Sequence, residues 1–183
     1  MKYDFIAIGD LTTDAFIRVK DASVNCDLQK HNCKLCFKFG EKVPYEFVEV
    51  INAVGNSPNA SISASRLGLA SALVSDVGND QYGKEAIGVL SKNKVSVDHV
   101  HLHDGKQTNY HYVLWYEDER TILVKHQEYA YTMSQSVETD WLYLSSLGPS
   151  SLPYHEEIAK YLLDHPSVKL AFQPGTFQLK ANF

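Results

Sequence analysis

Several groups of residues in this chain have types and spacings that can do chemistry. Gly9-Asp10-Leu11-Thr12-Thr13-Asp14 follows a short apolar run, Phe5 to Ile8. Ligands of open α/β sheets bind beyond the carboxyl ends of strands, so Asp14 is placed to accept hydrogen bonds from hydroxyl groups. Turn formation is the other use of Asp and Thr there. Gly55-Asn56-Ser57-Pro58-Asn59 opens a stretch of small residues. A helix start offers free N–H groups, and the amides of Asn56 and Asn59 both donate and accept, which suits a neutral, hydroxyl-rich ligand. A capped helix with solvated asparagines uses the same residues, and the two readings stand level on chemistry alone.

Gly78 and Gly83-Lys84 have the spacing of a phosphate-binding loop, but Glu85 stands where that loop needs a magnesium-binding hydroxyl. A turn with Asp80 as helix cap is the better reading. His99, His101 and His103 fall on one face of a strand, as a metal site or as a solvated face. Cys26, His31, Cys33 and Cys36 form an irregular cluster that can hold zinc in principle. The preferred reading makes Leu35, Phe37 and Phe39 alternate along a strand, with the thiols as small side chains beside it and a reducing compartment around them.

These groups need a framework. With 183 residues, the chain can bury a core of its own. A hydrophobic fraction of 44% with a net charge of only −5 excludes a disordered chain. The mild acidic balance argues against nucleic acid as a partner. No apolar run approaches the roughly 18 residues of a membrane span, and Asp4 and Asp10 bracket the first apolar stretch, which excludes a signal peptide. A cytoplasmic protein with no membrane partner is expected.

The patterns predict strands at Phe5–Ile8, Ala15–Lys20, Leu35–Phe39 and Val43–Ile51. Next comes a helix capped by Ser57, with Pro58 at its first position and Gly68 at its end. A strand over Ala70–Asp76, a helix opened by Asp80 and a strand over Val95–His103 follow. Thr108–Tyr116 and Thr121–His126 read as a hairpin around Glu117–Arg120. Trp141–Leu144, a helix over Tyr154–Leu163 and a strand over Val168–Phe172 complete the order, with no helix expected after the last strand. The alternation indicates an α/β domain with a mainly parallel sheet and a separate small antiparallel sheet.

Gly9 to Asp14, the Ala53-Val54-Gly55-Asn56-Ser57-Pro58-Asn59 run, Arg66-Leu67-Gly68, Gly78-Asn79-Asp80 and Gly83 together resemble the PfkB/ribokinase family of carbohydrate kinases. Leu170 to Thr176 is similar to that family's strand ending in Asn-Pro, with Gln173 in the Asn place. The resemblance implies a ribokinase-like three-layer α/β/α core and a β-sheet lid. The core is expected at 1–14, 52–106 and 127–183, and the lid at about 15–51 and 107–126. It also implies transfer of the γ-phosphoryl group of ATP, with Mg²⁺, to a sugar or nucleoside hydroxyl. Asp14 and Thr12 would bind sugar hydroxyls, Gly55, Asn56 and Asn59 would line the pocket, and His111 and Val113 would face the sugar from the lid. No residue of the chain is expected to bind metal. A homodimer through the lid is a further expectation of the resemblance. The family's second signature, of the Asp-Thr-x-Gly-Ala-Gly-Asp type, does not occur in the sequence. The reading is therefore a truncated copy without the catalytic Asp and the ATP-binding half. The alternative is a non-catalytic sugar-binding or dimerisation module.

Overall fold

A computed structural model describes residues 2–133 and 137–180; residues 1, 134–136 and 181–183, which fall within the expected core ranges, lie outside it. The strands are β1 (Lys2–Ile8), β2 (Thr12–Val19), β3 (Ser23–Asn25), β4 (Lys34–Cys36) and β5 (Tyr45–Val54). Helix α1 (Asn56–Arg66), β6 (Ser71–Gly78), α2 (Gln81–Lys92), β7 (Ser96–His103), β8 (Asn109–Tyr116) and β9 (Glu119–Leu123) follow. Then come β10 (Glu138–Leu144), α3 (Leu152–Asp164), β11 (Lys169–Phe172) and α4 (Thr176–Lys180). The chain divides into two compact units: Met1–Thr13, Asn52–Asn109 and His126–Phe183 form the first, and Asp14–Ile51 with Tyr110–Lys125 form the second.

The first unit is built on a five-stranded sheet in the order β11-β10-β1-β6-β7. Every neighbouring pair is parallel. Parallel strands need cover on both faces, and β6 is buried at every position. On one face Ile6, Ile8, Val74, Leu142 and Leu144 pack with Tyr154, Ile158 and Tyr161 of α3. On the other, Ala7, Leu73 and Val77 pack with Ala86 and Leu90 of α2. The fold is the ribokinase-like α/β type that the family resemblance implies, with a mainly parallel sheet and a small antiparallel one.

The second unit holds a four-stranded sheet in the order β5-β2-β8-β9. Strands β8 and β9 are antiparallel, and Tyr116 pairs with Glu119, so the turn is only Glu117-Asp118. Glu117 takes a positive φ of 51° there. Arg18 braces this turn: its guanidinium lies 4.6 Å from the centre of the Trp115 ring and donates to the Glu117 carbonyl at 2.7 Å.

Four local expectations are corrected. Ser57 does not cap α1. The cap position is Gly55, and the Ser57 hydroxyl is buried in the first turn, donating to the Ile8 carbonyl at 2.7 Å. Pro58 is therefore the third helical residue rather than the first. The expected strand Leu35–Phe39 shrinks to β4, which pairs with β3 in a separate two-stranded sheet. Phe39 is fully exposed, because this hairpin has no apolar surface to cover it. Cys26 and Cys33 are joined by a disulfide, leaving Cys36 free. This removes two of the four candidate zinc ligands and the argument for a reducing compartment drawn from the thiols. Finally, a short helix, α4, does follow the last strand; its Gln178 is completely buried, with its amide donating to the Ser145 carbonyl at 3.0 Å.

Helix α2 shows why Gly78 and Gly83 carry loop-like spacing. Asp80 caps the helix, accepting from the Gly83 N–H at 2.9 Å. It also accepts from the Thr108 N–H at 3.0 Å and hydroxyl at 2.6 Å. Burial alone would push the Asp80 carboxyl up, but the Thr108 and Gly83 hydrogen bonds hold it below the usual carboxylate range. The helix start lies directly on the end of β6: a Cβ on Gly83 would sit 2.1 Å from the Gly78 carbonyl oxygen. Gly88, in the same helix, faces open space. Gly83→Ala should therefore destabilise the chain by about 2–3 kcal/mol through overpacking. Gly88→Ala should stabilise it by roughly 0.5–1 kcal/mol through helix propensity. Urea denaturation of the two variants tests the contrast; equal effects would contradict this packing.

Candidate functional site

In the first unit, polar side chains gather where the parallel strands end. Strand β1 hands over to Gly9 and Asp10, and the Asp10 side chain is buried. Its carboxylate lies 3.2 Å from Nδ1 of His126 and accepts from the Tyr131 hydroxyl at 3.1 Å. The Asp10 hydrogen bond raises the His126 imidazole above its ordinary value, against the opposing effect of burial. Burial first, and the Asp10 charge second, push the Tyr131 phenol far up, so it stays a neutral donor. The pair is therefore an imidazolium–carboxylate contact at mildly acidic pH, reinforced by a phenol.

A second carboxylate occupies the end of β6. Asp76 is buried and lies 2.7 Å from Nε2 of His103 and 3.4 Å from Nδ1 of His101. Register sets this up, since Asp76 pairs with His101 and Gly78 with His103 in the parallel β6–β7 ladder. His99, the third histidine of the predicted face, packs edge-on against Tyr3, and burial lowers its imidazole. Among the described residues no group of three or more His, Cys, Asp or Glu side chains is arranged to hold a metal ion.

The sequence-predicted residues fall into two sets. In the first unit Thr12 is buried and donates to the Val54 carbonyl at 3.2 Å. Gly55 takes a φ of 126°, and a Cβ there would lie 2.7 Å from the Asp10 carbonyl oxygen. Glycine is thus required both by conformation and by close approach. Asn56 and Asn59 lie exposed in the first turn of α1, with the Asn59 N–H bonded to the Gly55 carbonyl. In the second unit Asp14 of β2 lies 3.4 Å from Nδ1 of His111 of β8, a third carboxylate set against imidazole. Val113, two residues along β8 on the same face as His111, is buried.

Sequence reasoning missed the roles of Asp10, His126, Tyr131 and Asp76. Asp10 and Asp76 each stand at or just beyond the carboxyl end of a core strand, and that position was the available signal. His126 and Tyr131 carried none, because a histidine after a lid strand has no local pattern.

The His126 contact has a definite pH sign. A group whose pKa is raised by folding contributes stability below its unfolded value, near 6.5, and loses it as pH rises through the folded value. The stability difference between the native chain and His126→Gln should be largest below pH 6.5 and should shrink by pH 9, measured by urea midpoints across pH. A difference that grows with pH would refute the pairing.

Comparison with known proteins bears on the family and the fold. The model of the pfkB family carbohydrate kinases matches residues 22–155. A 5-dehydro-2-deoxygluconokinase of Bacillus thuringiensis is 44% identical over 50 residues, which is 27% of this chain and 15% of the relative. Ribokinase of Arabidopsis thaliana, solved with ribose and ATP, superposes with a TM-score of 0.72 at 16% identity, over 94% of this chain and 53% of that one. The Methanocaldococcus jannaschii nucleoside kinase gives 0.71 at 13% identity, over 97% and 54%. Ribokinase of Cryptococcus neoformans, in complex with ADP, gives 0.66 at 17% identity, over 94% and 49%. The chain thus spans about half the length of these solved structures. The matched residues cover most of its length, and the chain belongs to the pfkB family of carbohydrate kinases.

Proposed function

We propose that this chain supplies the sugar-binding part of an ATP-dependent kinase that phosphorylates a hydroxyl of a sugar or nucleoside. The observation that carries the reading is the Asp14–His111 contact, 3.4 Å across β2 and β8. It presents a carboxylate and an imidazole, one an acceptor and the other able to donate, as recognition of vicinal hydroxyls requires. Thr12, Gly55, Asn56 and Asn59 of the first unit and Val113 of the second are proposed on the family resemblance alone. Relatives solved with ribose and ATP or with ADP support the choice of substrate class and cofactor.

Phosphoryl transfer depends on positioning and on neutralising phosphate charge. The turn with phosphate-loop spacing does not fit a nucleotide. The Gly78–Lys84 turn is closed, with the Gly83 N–H given to Asp80 rather than left for a phosphate. No Gly-Ala-Gly-Asp segment occurs in the 183 residues, so no residue here is assigned as acceptor of the hydroxyl proton. No step through ATP or Mg²⁺ is assigned to this chain.

A second reading, a non-catalytic sugar-binding or dimerising module, has one observation in its favour. Tyr45, Phe47, Val48 and Val50 of β5 are all exposed, on a strand at the edge of its sheet. Exposed apolar surface of this kind is a ready site for self-association. Sedimentation of Phe47→Lys against the native chain tests it: a native dimer that becomes monomeric supports the module reading.

Titration calorimetry against a panel of sugars and nucleosides tests the main proposal. Asp14→Asn should weaken binding of the best ligand by about 10- to 100-fold, the worth of a charge-assisted hydrogen bond. The 183-residue chain alone should show no ATP-dependent phosphorylation. Robust turnover would overturn the assignment of a substrate-binding part only, and unchanged affinity in Asp14→Asn would remove Asp14 from the site.

A further inference from the structure

The hairpin between β2 and β5 carries all three cysteines of the chain. Asn25 pairs with Lys34 as the last rung of the β3–β4 ladder, so Cys26 and Cys33 stand opposite each other just past it. The loop they close, residues 27–32, has hydrogen bonds of its own beside the 3.7 Å contact of Cys33 Sγ with the Lys30 carbonyl. The Asp27 carboxylate accepts from the His31 N–H at 2.8 Å and from the Asn32 amide at 2.8 Å. The Lys30 N–H returns to the Asp27 carbonyl at 3.0 Å, with Lys30 at a positive φ of 57°. The His31 hydrogen bond, first among its causes, lowers the Asp27 carboxyl below its ordinary range, so the clamp is formed and charged at neutral pH. The Asp27 bonds thus span the same loop that the disulfide closes.

Little else holds this hairpin. Each of its strands has three residues, β3 is exposed throughout, and both Cys26 and Cys33 lie at the surface. A segment with few buried contacts opens locally at low cost, and an exposed sulfur is open to attack by an external thiolate. Cys36 does not share in this. Three positions on along extended chain, it falls on the opposite face from Cys33, and it pairs in register with Ser23. The Cys33–Cys36 spacing therefore does not act as a redox pair, although the sequence spells one.

We propose that Cys26 and Cys33 form a reversible thiol–disulfide site whose co-reactant is a low-molecular-weight monothiol of the glutathione class. In the reducing direction a thiolate of the co-reactant attacks one sulfur, Cys33 for example. The Cys26–Cys33 bond breaks, and Cys26 leaves as a thiolate that takes up a proton. A second thiolate attacks the mixed disulfide, releasing Cys33 as a thiol and the co-reactant as its disulfide. Two electrons pass from two monothiols to the protein, and the oxidised co-reactant reverses the sequence. Cys36 stays a free thiol in both states.

The test equilibrates the native 183-residue chain in glutathione buffers of graded redox ratio, quenches with iodoacetamide and counts adducts by mass. The expected result is a single transition from one labelled cysteine to three, with peptide mapping placing the link between Cys26 and Cys33. Cys36→Ser should keep the transition and lower each count by one. Asp27→Ala should slow disulfide formation from the reduced chain by about three- to tenfold, the worth of the lost local hydrogen bonds. Three labels at every ratio, a mapped Cys33–Cys36 link, a bond that yields only in denaturant, or unchanged kinetics in Asp27→Ala would each overturn the proposal.

Discussion

Everything placed at the strand ends depends on how the backbone of β1 is satisfied when its ladder stops. A buried carbonyl without a partner is costly, so the groups at Ile8 and Gly9 must be met. The Ile8 carbonyl accepts from the Ser145 N–H at 2.9 Å and from the Ser57 hydroxyl at 2.7 Å. The Gly9 carbonyl accepts from the Ser75 hydroxyl at 2.7 Å. These bonds tie the first turn of α1 and the ends of β6 and β10 to one point. Gly9 is glycine because any Cβ there would lie 2.5 Å from both the Ser57 and Ser145 hydroxyl oxygens.

From that point the neighbouring positions follow. Asp10 leaves the sheet with its N–H given to the Ser146 carbonyl, so its carboxylate turns toward His126 and Tyr131. Gly55 closes against the Asp10 carbonyl, which fixes where α1 begins and hence where Asn56 and Asn59 are presented. The conversion of Ser57 from expected cap to buried strut is the same constraint seen from the helix. A hydroxyl that is needed by Ile8 is not spent on the helix's own N–H groups.

Both units repeat one electrostatic device, a carboxylate set against imidazole. Asp10 meets His126 and Asp76 meets His101 and His103 in the first unit, and Asp14 meets His111 in the second. Such a contact satisfies a buried carboxylate without a permanent cation, and it leaves an acceptor–donor pair of the kind that hydroxyl-bearing ligands engage.

The sequence by itself determined the elements whose signal is local. The apolar runs of β1, β6 and β10, the Asp80 cap and the stop at Gly68 are legible because strand burial, capping and a positive φ each demand particular residues at fixed offsets. The Gly55-to-Asn59 cluster and Asp14 stood out as candidates through a resemblance resting on contiguous residues, and their role belongs to the proposal. Only the tertiary structure decided which side chains meet. The partners of Asp10 are 116 and 121 residues away, and Asp76 finds His101 and His103 through a parallel register that no local pattern encodes. The disulfide overturned the expectation of free thiols for a related reason: hairpin pairing, which no local pattern encodes, brings Cys26 opposite Cys33.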